Sequence, residues 1–149
     1  MAIYSLKRSY QLRDLREVGF KDLWGDHGIF TTMWIFGKPA KILFFKNHID
    51  NLVKSLKIYK IDKKNIKKNI LNLIKININS KKKYDHLFRV ALNNKMISIS
   101  LRKRLKPKLN FTLKLLNYKR IDPKYKNLKY KKILNFLKKI DPTKFDIAL

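Results

Sequence analysis

Residues 29–56 read IFTTMWIFGKPAKILFFKNHIDNLVKSL, and within this stretch the hydrophobic period changes from that of a strand to that of a helix. Ile29 to Phe36 is a β-branched and aromatic run, Gly37-Lys38-Pro39 is turn chemistry, and Ala40 to Phe45 is a second apolar run. Together they predict a hairpin. From Asn47 onward, Ile49, Leu52, Val53 and Leu56 fall at i, i+3, i+4 and i+7, which gives an amphipathic helix one apolar face. A sheet with a helix laid on it is the consequence, so the fold class is α+β.

The same alternation of periods continues downstream. A second helix is predicted from about Asp62, an acceptable N-cap, with Ile66, Ile70, Leu73 and Ile74 on one face. His86 to Leu92 and Met96 to Leu101 flank Asn93-Asn94-Lys95, where asparagines tolerate left-handed backbone, so a second hairpin follows. Phe111 to Leu116 reads as a further strand, and Ile133, Leu134 and Leu137 mark a short helix that Pro142 stops. Phe145 to Leu149 opens another strand. The expected organisation is an antiparallel sheet packed against two helices over residues 1–117. A crossover segment over residues 118–149 then leads to the truncated start of a missing second domain.

Composition narrows the function classes. At 149 residues and 45% hydrophobic, the chain can bury one core. Its most apolar runs are strand-sized, well short of the roughly 18–20 residues that span a bilayer, so no membrane span is expected. No apolar signal region follows Arg8, Arg13 and Arg16, which points to a cytoplasmic protein. With no cysteine and three dispersed histidines, neither a disulfide framework nor a metal centre is expected. The net charge of +27 suggests an anionic partner, and a small basic RNA-binding or ribosome-associated protein is the alternative function class. However, 30 of the 37 basic residues are Lys, and Lys, Ile and Asn, which share A/T-rich codons, make up 61 residues. A phosphate-reading surface favours Arg, so this composition speaks for non-specific attraction at most.

Three stretches resemble the fold-type IV (class IV) pyridoxal-phosphate-dependent aminotransferases, the group of branched-chain aminotransferase, D-amino-acid aminotransferase and aminodeoxychorismate lyase. Gly25-Asp26-His27-Gly28-Ile29-Phe30-Thr31-Thr32 is similar to the family's Gly-Asp-Gly-Val-Phe-Glu-Thr entry into its first long strand. His48-Ile49-Asp50-Asn51-Leu52, with Ser55, is similar to its His-Leu-x-Arg-Leu-x-x-Ser helix. Tyr118 to Leu137 looks like its Lys-x-x-Asn-Tyr-Leu segment, with Lys132 and Ile133 in the Asn and Tyr places and Leu134 setting the alignment. Phe145-Asp146-Ile147-Ala148-Leu149 resembles the Ala-Asp-Glu-Ala-Leu strand that opens the family's second domain.

The resemblance implies the small N-terminal domain of that fold, pyridoxal 5'-phosphate as cofactor, and amino-group transfer between an amino acid and a 2-oxo acid. Lys129 is then the catalytic Schiff-base lysine, and Arg89 grips the substrate carboxylate through two parallel hydrogen bonds. Asn51 stands where the family places the arginine that holds the cofactor phosphate, and Lys54, one turn along, is the nearest replacement cation. His48 and His27 are expected to be structural, while Gly25 and Gly28 serve positive φ or close chain approach. The family's remaining cofactor contacts come from its second domain. The chain alone is therefore expected to be inactive, with a homodimer or a C-terminal domain as partner.

Overall fold

The computed structural model describes residues 2–62 and 64–148. Strands β1 (Tyr4–Gln11), β2 (Glu17–Val18), β3 (Gly28–Gly37), β4 (Lys41–Ile42), β5 (Tyr84–Asn93) and β6 (Met96–Lys103) form one antiparallel sheet in the order β2-β1-β6-β5-β3-β4. Helices α1 (Phe45–Ile58) and α2 (Ile66–Asn77) separate β4 from β5 and pack on one face of it. The chain is therefore α+β, as the change of period predicts.

Strand alternation divides the sheet into two unlike faces. Ile29, Met33 and Ile35 of β3, Phe88, Val90 and Leu92 of β5, and Ile97, Ile99 and Leu101 of β6 meet Ile49, Leu52 and Leu56 of α1 and Ile66, Ile70 and Leu73 of α2. That is the main core. The other face carries Phe30, Thr32, Trp34 and Phe36 from β3, Arg89 and Ala91 from β5, and Ser98 and Ser100 from β6. Both faces of β3 are thus apolar, which is why its sequence reads as a continuous run and not as an alternating one.

The second face is partly roofed by residues 19–24. The Lys21 N–H donates to Ser9 Oγ (3.0 Å), the Ser98 hydroxyl donates to the Lys21 carbonyl (2.9 Å), and the two serine oxygens lie 2.7 Å apart. Leu23 is fully buried beside Ala91 and Leu128. These two anchors hold the roof on either side of Asp22.

Several expectations are corrected in detail. Ala40 to Phe45 is not a full strand. Only Lys41 and Ile42 pair with β3, after which Phe44 turns left-handed at φ 50° and starts α1. Asp62 does not cap α2, because its carboxylate accepts the Lys64 N–H (2.8 Å), and the helix starts after Asn65 at φ 58°. The β5–β6 turn needs no left-handed asparagine: Asn93 Oδ1 accepts the N–H groups of Lys95 (2.9 Å) and Met96 (2.8 Å), closing the turn by side chain instead. β1 was not expected at all, since Leu6, Arg8 and Tyr10 face the helices with a charge in the middle of the set and mask the alternation.

β7 (Thr112–Leu115) and β8 (Phe145–Ala148) pair in parallel through α3 (Lys131–Leu137), apart from the main sheet. The pair joins a strand before residue 117 to one after it. Gly28 is the tightest point of the fold: a Cβ there would collide with the Leu92 carbonyl oxygen and come within 2.7 Å of Leu128 Cδ1. The carbonyl belongs to the central sheet and cannot yield. Gly28→Ala is expected to lower unfolding free energy by about 2–3 kcal/mol in urea titration, within the range for overpacking. Gly19→Ala, with nothing within 4 Å, is expected to change it by less than about 0.5 kcal/mol.

Candidate functional site

The candidate residues are organised around the turn that precedes β3. Gly25 holds φ 95°, and the Lys131 side chain lies over it so closely that an added Cβ would meet Lys131 Cε at 2.6 Å. Residues 126–128 then run antiparallel along the start of β3. Phe30 donates to the Lys126 carbonyl (2.8 Å), Leu128 to the Gly28 carbonyl (2.9 Å), and Gly25 to the Leu128 carbonyl (2.8 Å). The missing side chain at position 28 is what allows this approach.

Buried Asn127 staples the segment. Its amide donates to the carbonyls of Ile121 (2.8 Å) and Asp122 (3.1 Å), and its Oδ1 accepts the Lys129 N–H (3.1 Å). Nothing in its sequence context singles it out from the other asparagines. Lys129 thus stands between buried Leu128 and half-buried Tyr130, at the turn, with its own side chain exposed. No hydrogen bond or ion pair from its ammonium is found among the described residues.

Aromatic rings connect this segment to Arg89. Tyr130 lies 5.8 Å from Trp24 and 5.7 Å from Phe30, Trp24 and Phe30 meet edge to face at 4.8 Å, and Arg89 Cζ sits 4.5 Å above the Trp24 ring. Arg89 is 9% exposed and donates from Nη2 to Asp22 Oδ1 (2.9 Å). Asp85, on the same strand, accepts from Trp34 Nε1 (2.9 Å) and faces Arg104. Arg89 Nε is buried without a hydrogen-bond partner.

Asn51 and Lys54 are exposed on α1, the layer on the other side of the sheet from Arg89. Helical geometry puts Asn51 on the flank of His48 and turns Lys54 further round, beside a shallow hollow of about 430 Å³ that includes Asp50 and Asn65. The fold does not bring these two residues to Arg89. What links the layers is the segment before Asn127. The Tyr59 hydroxyl donates to Asp122 (3.2 Å), and the Tyr59 and Tyr125 rings meet at 6.0 Å. The Lys126 ammonium is close enough to act on His48. Lys126 is a cation that motif reading missed, because it is near α1 only in space. A further hollow, about 820 Å³ near Leu12, Asn65 and Lys95, includes none of the four candidate residues.

Among the described residues no cluster of three or more His, Cys, Asp or Glu side chains could hold a metal ion, and no helix is long and apolar enough to cross a membrane. No protein-family model matches the chain, and no curated protein matches it either.

His48 accepts the structural role expected of it, with Nδ1 3.0 Å from the Thr31 hydroxyl. Burial, and then the Lys126 charge, push its pKa below the usual value of 6.5, and burial lowers His86 as well. The unfolded chain therefore binds more protons than the folded one as pH falls through the range below that value. Stability is full above it and is lost on acidification. The urea midpoint is expected to fall between about pH 7 and pH 5, and His48→Gln to flatten part of that slope.

Proposed function

We propose that this chain forms the small domain and lysine-bearing segment of a pyridoxal-phosphate-dependent class IV aminotransferase. The reaction moves an amino group between an amino acid and a 2-oxo acid, of branched-chain type or in the related aminodeoxychorismate lyase variant. The observation that carries the reading is the pairing of residues 126–128 with the turn at residues 25–30. It puts the backbone leading to Lys129 against the turn that follows Trp24, whose ring stacks on Arg89.

The residues present fit the cofactor in kind. An exposed lysine amine, the neighbouring rings of Trp24 and Tyr130, and the cation Lys126 belong to or adjoin the segment paired with the start of β3. Lys129 would hold the aldehyde end. Asn51, with Lys126 or Lys54 supplying the charge that asparagine lacks, would hold the phosphate. When bound, the cofactor supplies an electron sink for charge developing at the amino acid's α-carbon. The Lys129 amine would carry the proton to and from that carbon, and Arg89 would orient the substrate by its carboxylate. The family's remaining cofactor contacts would come from a second body, either a C-terminal domain or a partner chain, with homodimerisation as in the family.

The reading is tested by incubating the chain with substoichiometric pyridoxal 5'-phosphate, reducing with borohydride and mapping the pyridoxyl label. Label concentrated at Lys129, and lost in Lys129→Ala, is the expected result. A label spread across the 30 lysines, or centred on Lys131, would defeat the assignment.

A second reading, a basic RNA-binding module, has one observation in its favour. At the far end of the same sheet face Trp34 and Phe36 lie 4.7 Å apart and half-buried, with Arg104 stacked on Trp34 at 4.5 Å. Cationic and aromatic groups together suit single-stranded nucleic acid. This reading requires micromolar RNA affinity that falls steeply with salt and weakens by tenfold or so in Trp34→Ala. Affinity unchanged by that substitution would leave only the attraction of a net charge of +27.

A further inference from the structure

We infer that the Asp22 carboxylate occupies, as a monodentate stand-in, the place where a ligand carboxylate docks on Arg89. The inference rests on the reading of Arg89 given above only for the class of ligand, a small monocarboxylate such as a 2-oxo acid. Its physical basis is the way the guanidinium is satisfied.

Arg89 carries five N–H donors, of which one, on Nη2, meets an acceptor among the described residues. Nη2 shares an edge of the guanidinium with Nε, and that edge matches the two oxygens of one carboxylate. Asp22 reaches half of it. Nε, on the same edge, is buried and unpaired, in a side chain that is only 11% exposed. A buried donor left without a partner is rare in folded proteins and disfavours the state that contains it.

The surroundings supply further donors. Arg89 is in register with Thr32 on one side and Ser100 on the other, all three on the face away from the helices. In-register side chains on neighbouring strands start about 4.5–5.5 Å apart. Ser100 is 3% exposed. Either hydroxyl could donate to a carboxylate or to a 2-oxo oxygen bound beside the guanidinium. Trp24, stacked on the arginine at 4.5 Å, closes the other side.

Asp22 can leave without opening the fold. Its backbone is fixed on both sides, by the bonds of Lys21 to Ser9 and Ser98 and by fully buried Leu23, whereas its side chain is 48% exposed. Rotation of that side chain alone would free the Nη2 edge. The incoming carboxylate would then compete with Asp22 charge for charge, which lowers apparent affinity and admits only ligands that engage both donors.

The test uses the whole chain without cofactor and titrates pyruvate against sodium chloride at matched ionic strength. The Arg89 Nε–H resonance, assigned by its loss in Arg89→Lys, is the readout. Pyruvate is expected to shift it in the wild type, and Asp22→Asn to bind pyruvate about tenfold more tightly with the same resonance moving. Should Asp22→Asn lose its near-ultraviolet circular dichroism, the wild-type shift decides alone. Equal affinity in folded Asp22→Asn and wild type, or lysine resonances that respond while Arg89 does not, would overturn the inference. Either result leaves the labelling of Lys129 as a separate question, because no cofactor is present in the titration.

Discussion

One backbone contact organises this molecule: the approach of the chain at residues 126–128 to the start of β3, across a position that has no side chain. Were there a Cβ at residue 28, the Leu92 carbonyl and Leu128 would both have to move, and with them the central strand and the segment that crosses to α3. The contact does more than close a loop. It makes residues 126–128 a partial extra strand on an edge that β4 covers only at its far end, and it satisfies backbone groups of β3 that would otherwise face water.

From that contact the two faces acquire different roles. The helix face is an ordinary apolar core, closed by α1 and α2. The opposite face mixes aromatic rings, hydroxyls and a buried guanidinium under a short roof, a composition that is poor at lowering free energy and good at recognising something polar. Candidate chemistry gathers on the second face and at its rim, while Asn51 and Lys54 belong to the helix layer. The segment around Lys126 and the contact of His27 with Tyr59 join the two.

Residues whose reading depends on local period were legible. Ile49, Leu52 and Leu56 were bound to face inward once the helix was recognised, and the β5–β6 hairpin followed from two apolar runs and a polar turn. What escaped was set by tertiary geometry. Phe44 adopts left-handed backbone at the start of α1, against its local preference, and Asn65, which tolerates it, does so at the start of α2, neither with a side-chain cap, because packing of α1 and α2 fixes where the chain must turn. β1 hid behind inward-facing Arg8, whose guanidinium donates to Asn77 (3.0 Å). For the candidate site, motif order pointed to the Gly25–Gly28 turn and to Arg89, yet Asp22 as its partner, the Asn127 staple and the Lys126–His48 proximity each join residues distant in the sequence or alike in composition.

The β7–β8 pair has a further consequence for how copies of this protein behave together. Among the named strands neither outer edge of that small ladder is paired, and Leu113 and Leu115 are 60% and 85% exposed. Open edges with apolar flanks are templates for association between chains. At low ionic strength the mutual repulsion of molecules carrying +27 each keeps those templates apart. Added electrolyte shortens the Debye length to about 8 Å at physiological strength and removes that barrier. Salt therefore takes away the charge barrier that holds those open edges apart.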